Sequence, residues 1–283
     1  MYGRLSGTSG QLVLAFEENM RYITDVHAHY DEAVFDKDRA EVLDSLHKEG
    51  VAFIINSGSE IPSSKRSVKL AEEYDYIFAS VGVFPLEAET ERGGGYPDWL
   101  KEIERLSGHE KTVAIGEIGL DYRMIDEASD KDAYKRAQKE VFAAQIELSK
   151  RLLLPVVIHS CEADEDLLSM LDAHPCIGMI HRYYCMQDCG RELLDRGFYI
   201  GIGPQITYPG SERLTDIVKE MPPELMLLET DAPFLPNYPL EGRATSAMIE
   251  EVCRRIAEIR GDMTPEEAAV CAMENAKRLF GIA

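Results

Sequence analysis

The stretch Tyr22–Tyr30, "YITDVHAHY", sets Asp25, His27 and His29 at alternate positions of a run otherwise fit for a β-strand. Side chains alternate in direction along a strand, so this spacing predicts that all three share one face. Two imidazoles and a carboxylate on one face are the makings of a metal site or of an exposed polar edge. One strand cannot supply a coordination sphere, so the choice rests on the strands around it.

Seven further β-branched or apolar runs follow, at Val51–Gly58, Ile77–Phe84, Thr112–Gly119, Pro155–Ser160, Cys176–Arg182, Phe198–Pro204 and Leu225–Thr230. Amphipathic segments separate them, the clearest being Asp132–Leu152 with Ala137, Val141, Ile146 and Leu148 on its apolar side. Helices are also predicted at Ser246–Ile259 and Thr264–Phe280. The second opens with "TPEE", where Thr264 can cap, Pro265 suits the first turn and Glu267 can complete a capping box. Eight βα units predict a single (β/α)8 TIM barrel, with its active site at the C-terminal ends of the strands. An open doubly wound sheet is the alternative, but no G-x-G-x-x-G follows the first strand and the count of eight favours closure. No proline-rich or low-complexity linker divides the chain. The reading therefore makes residues 20–283 one domain. Residues 1–19, polar, glycine-rich and weakly patterned, fall outside the core fold as an extension upstream of Met20.

The strand ends carry the chemistry. After Asp25, His27 and His29 on the first strand come Glu117 in "IGEIG", His159 in "VVIHS", His181 in "GMIHR" and Asp231 in "LLETD". Singly, such a histidine is more often a hydrogen-bonded core residue, and such an acid often caps a helix. Five strand ends converging on the mouth of one barrel are read instead as a metal centre. Its nitrogen and oxygen donors suit zinc, manganese, magnesium or iron. His27 and His29 would chelate, and Asp25, deeper along the strand, would orient a ligand imidazole from behind. Glu229 shares a face with Asp231 but lies one layer lower, which makes it a support. His47, His109 and His174 fall on a helix and near loops, away from these ends.

Composition limits what such a centre serves. Acidic residues outnumber basic ones 51 to 30, a formal charge of −21, which argues against a broad nucleic-acid groove while leaving room for a local cationic site. No apolar run approaches the roughly 20 residues of a membrane span, and no secretory signal pattern is evident. The six cysteines form no disulfide framework, which reads as cytoplasmic with reduced thiols. Cys185 and Cys189, spaced C-x3-C, lack a second ligand pair for structural zinc and are read as free thiols.

The segments "DVHAHYD", "SVGVFP", "IGEIGLDY", "VFAAQIELSKRLLLPVVIHS", "IGIGPQITYP", "LLETDAPFLP" and "NAKRLF" resemble the TatD-type metal-dependent hydrolases, amidohydrolase-like barrels usually described as deoxyribonucleases. The resemblance runs from about Tyr22 to the C-terminus. It implies two divalent ions, one held by His27, His29, Glu117 and Asp231 and the other by Glu117, His159 and His181, with Glu117 bridging. It also implies that Asp231 accepts the proton of the attacking water. Departures from the family pattern fall outside these ligands. Phe84 stands for a histidine in "GVFP", Cys161 for an arginine after "HS", "HRYYC" for "HCFSG", and Ala244 for the asparagine after Arg243. Phosphodiester hydrolysis is the implied activity, with a DNA end as a candidate substrate. An ester, amide or aminoacyl linkage of a small molecule is the alternative, and a non-enzymatic metal-stabilised barrel ranks third. Arg182, Tyr208 and Arg243 are the candidate substrate contacts. Arg123 is read as either a phosphate contact or a solvated loop residue, Trp99 as packing at a helix start and Gly93–Gly95 as a turn.

Overall fold

The computed structural model describes residues 22–88 and 98–283. Gly93–Gly95 and residues 1–19 lie outside them. Eight parallel strands follow in chain order around one sheet: β1 (Ile23–Ala28), β2 (Val51–Ser57), β3 (Ile77–Val81), β4 (Thr112–Asp121), β5 (Val156–Cys161), β6 (Gly178–His181), β7 (Tyr199–Ile202) and β8 (Met226–Leu228). Helices α1 (Arg39–Lys48), α2 (Ile61–Glu73), α3 (Asp98–Ser107), α4 (Lys131–Leu152), α5 (Asp164–Ala173), α6 (Gln187–Asp195), α7 (Glu212–Glu220) and α8 (Ile249–Arg260) alternate with the strands. A ninth, α9 (Pro265–Phe280), closes the chain. The result is the (β/α)8 barrel that the strand count predicts.

Seven strand pairs form continuous ladders, β1 to β2 through β7 to β8. The seam between β8 and β1 is thinner. It consists of the bridge between Ala28 and Ala232 and two amide bonds, Asp231 N–H to His27 O at 2.9 Å and His29 N–H to Ala232 O at 2.6 Å.

Two apolar clusters follow from strand alternation. The outer one packs Ile54, Val81, Ile115, Ile158, Ile180 and Leu228 against the helices. The inner one stacks Val26, Phe53, Ile55, Val157, Met179 and Leu227 and is covered by Ala276, Phe280 and Ile282 of the α9 region. Thr264 accepts from the amide of Glu267 while the Glu267 carboxylate accepts from the amide of Thr264, so the capping box forms as predicted. Trp99 is buried in the first turn of α3. No helix among the described residues is long and apolar enough to cross a membrane.

One expectation fails inside β1. Its register against β2 shifts between Asp25 and Ala28, so an extra residue enters the strand and inverts the alternation beyond it. Val26 joins the inner cluster, while Asp25 turns outward. There Asp25 accepts from the amide and hydroxyl of Thr230 (3.0 and 2.6 Å) and from the Ser246 hydroxyl (2.7 Å). Asp25 thus shares no face with His27 and meets that residue through its backbone amide, at 3.3 Å, rather than through its ring. It fastens the ends of β1 and β8 to the entry of α8. Burial pushes its carboxyl up to about 7 despite these bonds. A similar shift in β4, between Ile115 and Ile118, leaves both isoleucines in the outer cluster.

Candidate metal centre

The strand ends bring His27, His29, Glu117, His159, His181 and Asp231 together at the barrel mouth, all of them buried. Glu117 lies at the middle and divides its two oxygens. Oε2 faces His27 Nε2 (3.5 Å) and His29 Nε2 (3.7 Å), whereas Oε1 faces His159 Nδ1 (3.0 Å) and His181 Nε2 (3.8 Å). Asp231 Oδ1 approaches His29 Nε2 at 3.3 Å and both His27 and His181 Nε2 at 3.7 Å. The His27 and His181 rings stack with centroids 3.4 Å apart.

Three overlapping donor groups each lie within 4.8 Å of one another: His27, His29 and Glu117; His27, His181 and Asp231; Glu117, His159 and His181. The donor chemistry fits divalent ions, because imidazole nitrogens and carboxylate oxygens converge where apolar walls would otherwise be cheaper. Three imidazoles are also held from behind, as ligating imidazoles usually are. His29 Nδ1 meets Ser57 O at 2.9 Å, His159 Nε2 meets Asp121 Oδ2 at 3.1 Å, and His181 Nδ1 meets Glu229 Oε2 at 2.9 Å. His27 Nδ1 has no such partner among the described residues.

The electrostatics agree. Burial alone pulls His29 and His159 down, but the carboxylates of Asp231 and Glu117 raise His29, and those of Asp121 and Glu117 raise His159, each to about 9. Burial pushes the acids the other way. For Asp231 the charge of His181 and a hydrogen bond from His29 prevail and bring it to about 2, and for Glu117 the bonds from His159 and His27 hold it well below the carboxylate range. Protons on the imidazoles thus compensate two buried anions, a role that divalent cations fill at shorter range.

Among the residues of the mouth, Arg182 with φ +48° and Asp231 with φ +60° sit in the left-handed region, which non-glycine residues adopt only under constraint. The constraints are visible. The Arg182 amide donates to Glu229 Oε1 at 2.5 Å, and Asp231 is gripped on both sides by its amide bond to His27 O and by the Phe234 amide on its own carbonyl. Glu229 therefore sets both the His181 imidazole and the arginine beside it. Gly201 on β7 leaves room for it: a Cβ there would lie 2.5–2.7 Å from the Glu229 carboxylate.

The donors floor a cleft of about 550 Å³, walled by Ser59, Phe84, Arg123, Arg182, Phe234 and Leu235. Arg182 Nη1 stands 3.6 Å from Asp231 Oδ2, the oxygen turned away from the imidazoles. Phe84 presents its ring edge-on to His159 at 4.8 Å. Arg123 faces the cleft and is tied to Asp121, the carboxylate behind His159. Asp121 was not singled out from the sequence. Strand β4 runs two residues beyond Gly119, and continuing the alternation from Glu117 through 119 to 121 finds it.

Two candidate substrate contacts lie elsewhere. Tyr208 donates to Pro236 O at 2.7 Å and lines a separate cavity of about 470 Å³ with Tyr183 and Tyr184. Arg243 binds Val34 O and Asp38 Oδ2 and covers the Phe35 ring, so it joins the β8–α8 connection to the β1–α1 loop. Neither lines the metal cleft.

The sequence profile described as "TatD related DNase" matches residues 24–281. An uncharacterized metal-dependent hydrolase, YabD of Bacillus subtilis (strain 168), is 38% identical over 264 residues, covering 91% of this chain and 98% of its own. A Citrobacter rodentium (strain ICC168) protein named as a 3'-5' ssDNA/RNA exonuclease is 29% identical over 272 residues, at 91% and 97% coverage. Among solved structures, the TatD homologue YjjV of Escherichia coli K12 superposes with a TM-score of 0.81 at 27% identity, covering 93% of this chain and 99% of that one.

Proposed function

The chain belongs to the TatD-related DNase family of metal-dependent hydrolases, and from that premise we propose that it hydrolyses phosphodiester bonds at the ends of nucleic-acid strands with two divalent ions. The observation that carries this reading is the divided carboxylate of Glu117, whose oxygens serve two separate histidine pairs. His27, His29, Glu117 and Asp231 would hold one ion, and Glu117, His159 and His181 the other. Ions bound there would lower the pKa of a coordinated water and offset charge on the attacked phosphate.

The chain's own groups supply the rest. Asp231 turns Oδ1 to the imidazoles and Oδ2 to the cleft, which leaves Oδ2 to take the proton from the attacking water. The water oxygen bonds to phosphorus, the ester P–O bond breaks, and the departing oxygen is protonated from solvent. Arg182 and Arg123 offer guanidinium groups to the phosphate oxygens. Phe84 and Phe234 wall the cleft with apolar surface that can meet a sugar or base. Its bounded volume suits a strand end better than the middle of a duplex, as does the chain's net charge of −21. A second reading, a small ester or amide substrate, draws on Phe84, which crowds His159 where the family carries a polar side chain.

The test is a hydrolysis panel of single-stranded DNA labelled at either end, dinucleotides and carboxyl esters, in zinc, manganese and magnesium. Asp231→Asn should lower turnover of the preferred substrate by about 10²–10⁴-fold with an unchanged circular dichroism spectrum. Phosphodiesters left intact while esters are cleaved would replace the first reading with the second.

A further inference from the structure

We propose that Asp164, Cys185 and Cys189 form an additional binding site for a thiophilic divalent cation, zinc by preference, separate from the centre at the barrel mouth. The three residues come from two neighbouring units. Asp164 opens α5, Cys185 lies in the loop after β6, and Cys189 stands in the first turn of α6. One donor atom from each lies within 4.8 Å of the others. Around a tetrahedral zinc ion, with bonds of about 2.3 Å to sulfur and about 2.0–2.2 Å to oxygen, such donors stand roughly 3.5–3.8 Å apart. The cluster therefore needs to contract by no more than about 1.3 Å.

The chemistry of the surroundings favours this use. Both cysteines are free and buried, at 1% and 5% exposure, beneath a carboxylate that is partly open. Hydrogen bonding to Cys189, burial and the nearby Asp164 carboxylate all push the Cys185 thiol up. The Asp164 carboxylate accepts from the Met186 amide through Oδ2 at 2.7 Å, which fixes its orientation beside the two thiols. Asp164 and Met186 also line a surface cavity of about 440 Å³, an entry path for an ion and for the water that completes four-coordination. The C-x3-C spacing alone lacked a further ligand, and the fold supplies it from α5.

An ion there would tie the β5–α5 and β6–α6 loops together. The second loop runs from His181 through Arg182 and Tyr184 to Cys185, so the site would brace the segment that presents Arg182 to the cleft.

The test uses the full chain, purified with a reductant and stripped of metal, then titrated with cobalt(II). The expected result is a near-ultraviolet sulfur-to-cobalt charge-transfer band. It should persist in Glu117→Gln and disappear in Cys185→Ser and in Cys189→Ser. The histidine and carboxylate centre has no sulfur donor and cannot give this band. On the unmutated protein, zinc should protect two thiols from alkylation, and peptide mass mapping should locate them at Cys185 and Cys189. Cobalt uptake without the band, a band that survives loss of both cysteines, or alkylation of both thiols at saturating zinc would each overturn the proposal.

Discussion

Gly201→Ala changes one hydrogen to a methyl group, touches no donor atom of the metal centre and alters no charge. Its Cβ would nevertheless meet the Glu229 carboxylate at 2.5–2.7 Å, well inside van der Waals contact. To restore about 3.3 Å the carboxylate must retreat by roughly 0.6–0.8 Å, and it cannot do so while keeping both the 2.9 Å bond to His181 Nδ1 and the 2.5 Å bond to the Arg182 amide. Losing one charge-assisted bond at a buried site costs about 1.5–3 kcal/mol. Loss of an outer partner to a ligating histidine typically weakens metal binding by about 10–100-fold. The assay is metal titration against a competing chelator, paired with thermal melting and with rates at limiting and saturating metal. Binding to the His159 and His181 side should weaken by that factor, and excess metal should restore most of the rate because Asp231 is untouched. Glu229→Gln should reproduce the defect, and the double variant should be no worse than the worse single one, since both act on one carboxylate. A folded Gly201→Ala protein with unaltered metal affinity would refute the chain of contacts from Gly201 through Glu229 to His181.

Arg182→Ala should raise KM for a phosphodiester more than it lowers kcat, about 10-fold or more, and a KM unchanged in steady-state assays would remove Arg182 from substrate binding. Asp166 is pushed up by burial, but bonds from Lys139 (2.6 Å) and Tyr122 (2.8 Å) outweigh this and hold it below the ordinary carboxylate range. Its contribution to stability is therefore complete above the unfolded-state value near about pH 4 and is lost as pH falls through the folded value, so Asp166→Asn should flatten the acid limb of Tm against pH. Leu153 ends α4 in the left-handed region with φ +57° and is 90% exposed, so Leu153→Gly should raise stability by about 1 kcal/mol in urea unfolding.

The barrel and the converging strand ends are legible because both rest on local regularities: the rhythm of apolar runs and the residue at which each run stops. What escaped the sequence depends on register between strands. Asp25 keeps perfect spacing with His27, yet an insertion relative to β2 turns it to the helical layer, and nothing within the nonapeptide signals that shift. Asp121 was hidden by the reverse error, a strand assumed to end at Gly119 that continues to 121. Tyr208 and Arg243 occupy loops whose course is set by Pro236, Asp38 and Phe35, partners distant in sequence. For Arg123, spacing alone does not choose between solvent and cleft, and the bond to Asp121 draws it over the cleft.

The seam between β8 and β1 is sewn with the backbone of residues in the candidate metal centre, through Asp231 to His27 and His29 to Ala232. The thinnest join in the barrel and the proposed reactive centre are thus one object. Metal affinity and resistance to opening at this join become linked quantities, each deepening the other by the free energy of occupancy. Amide exchange at His29 and Asp231 should then report ion binding residue by residue, slowing as the ions load while the β3–β4 ladder exchanges as before.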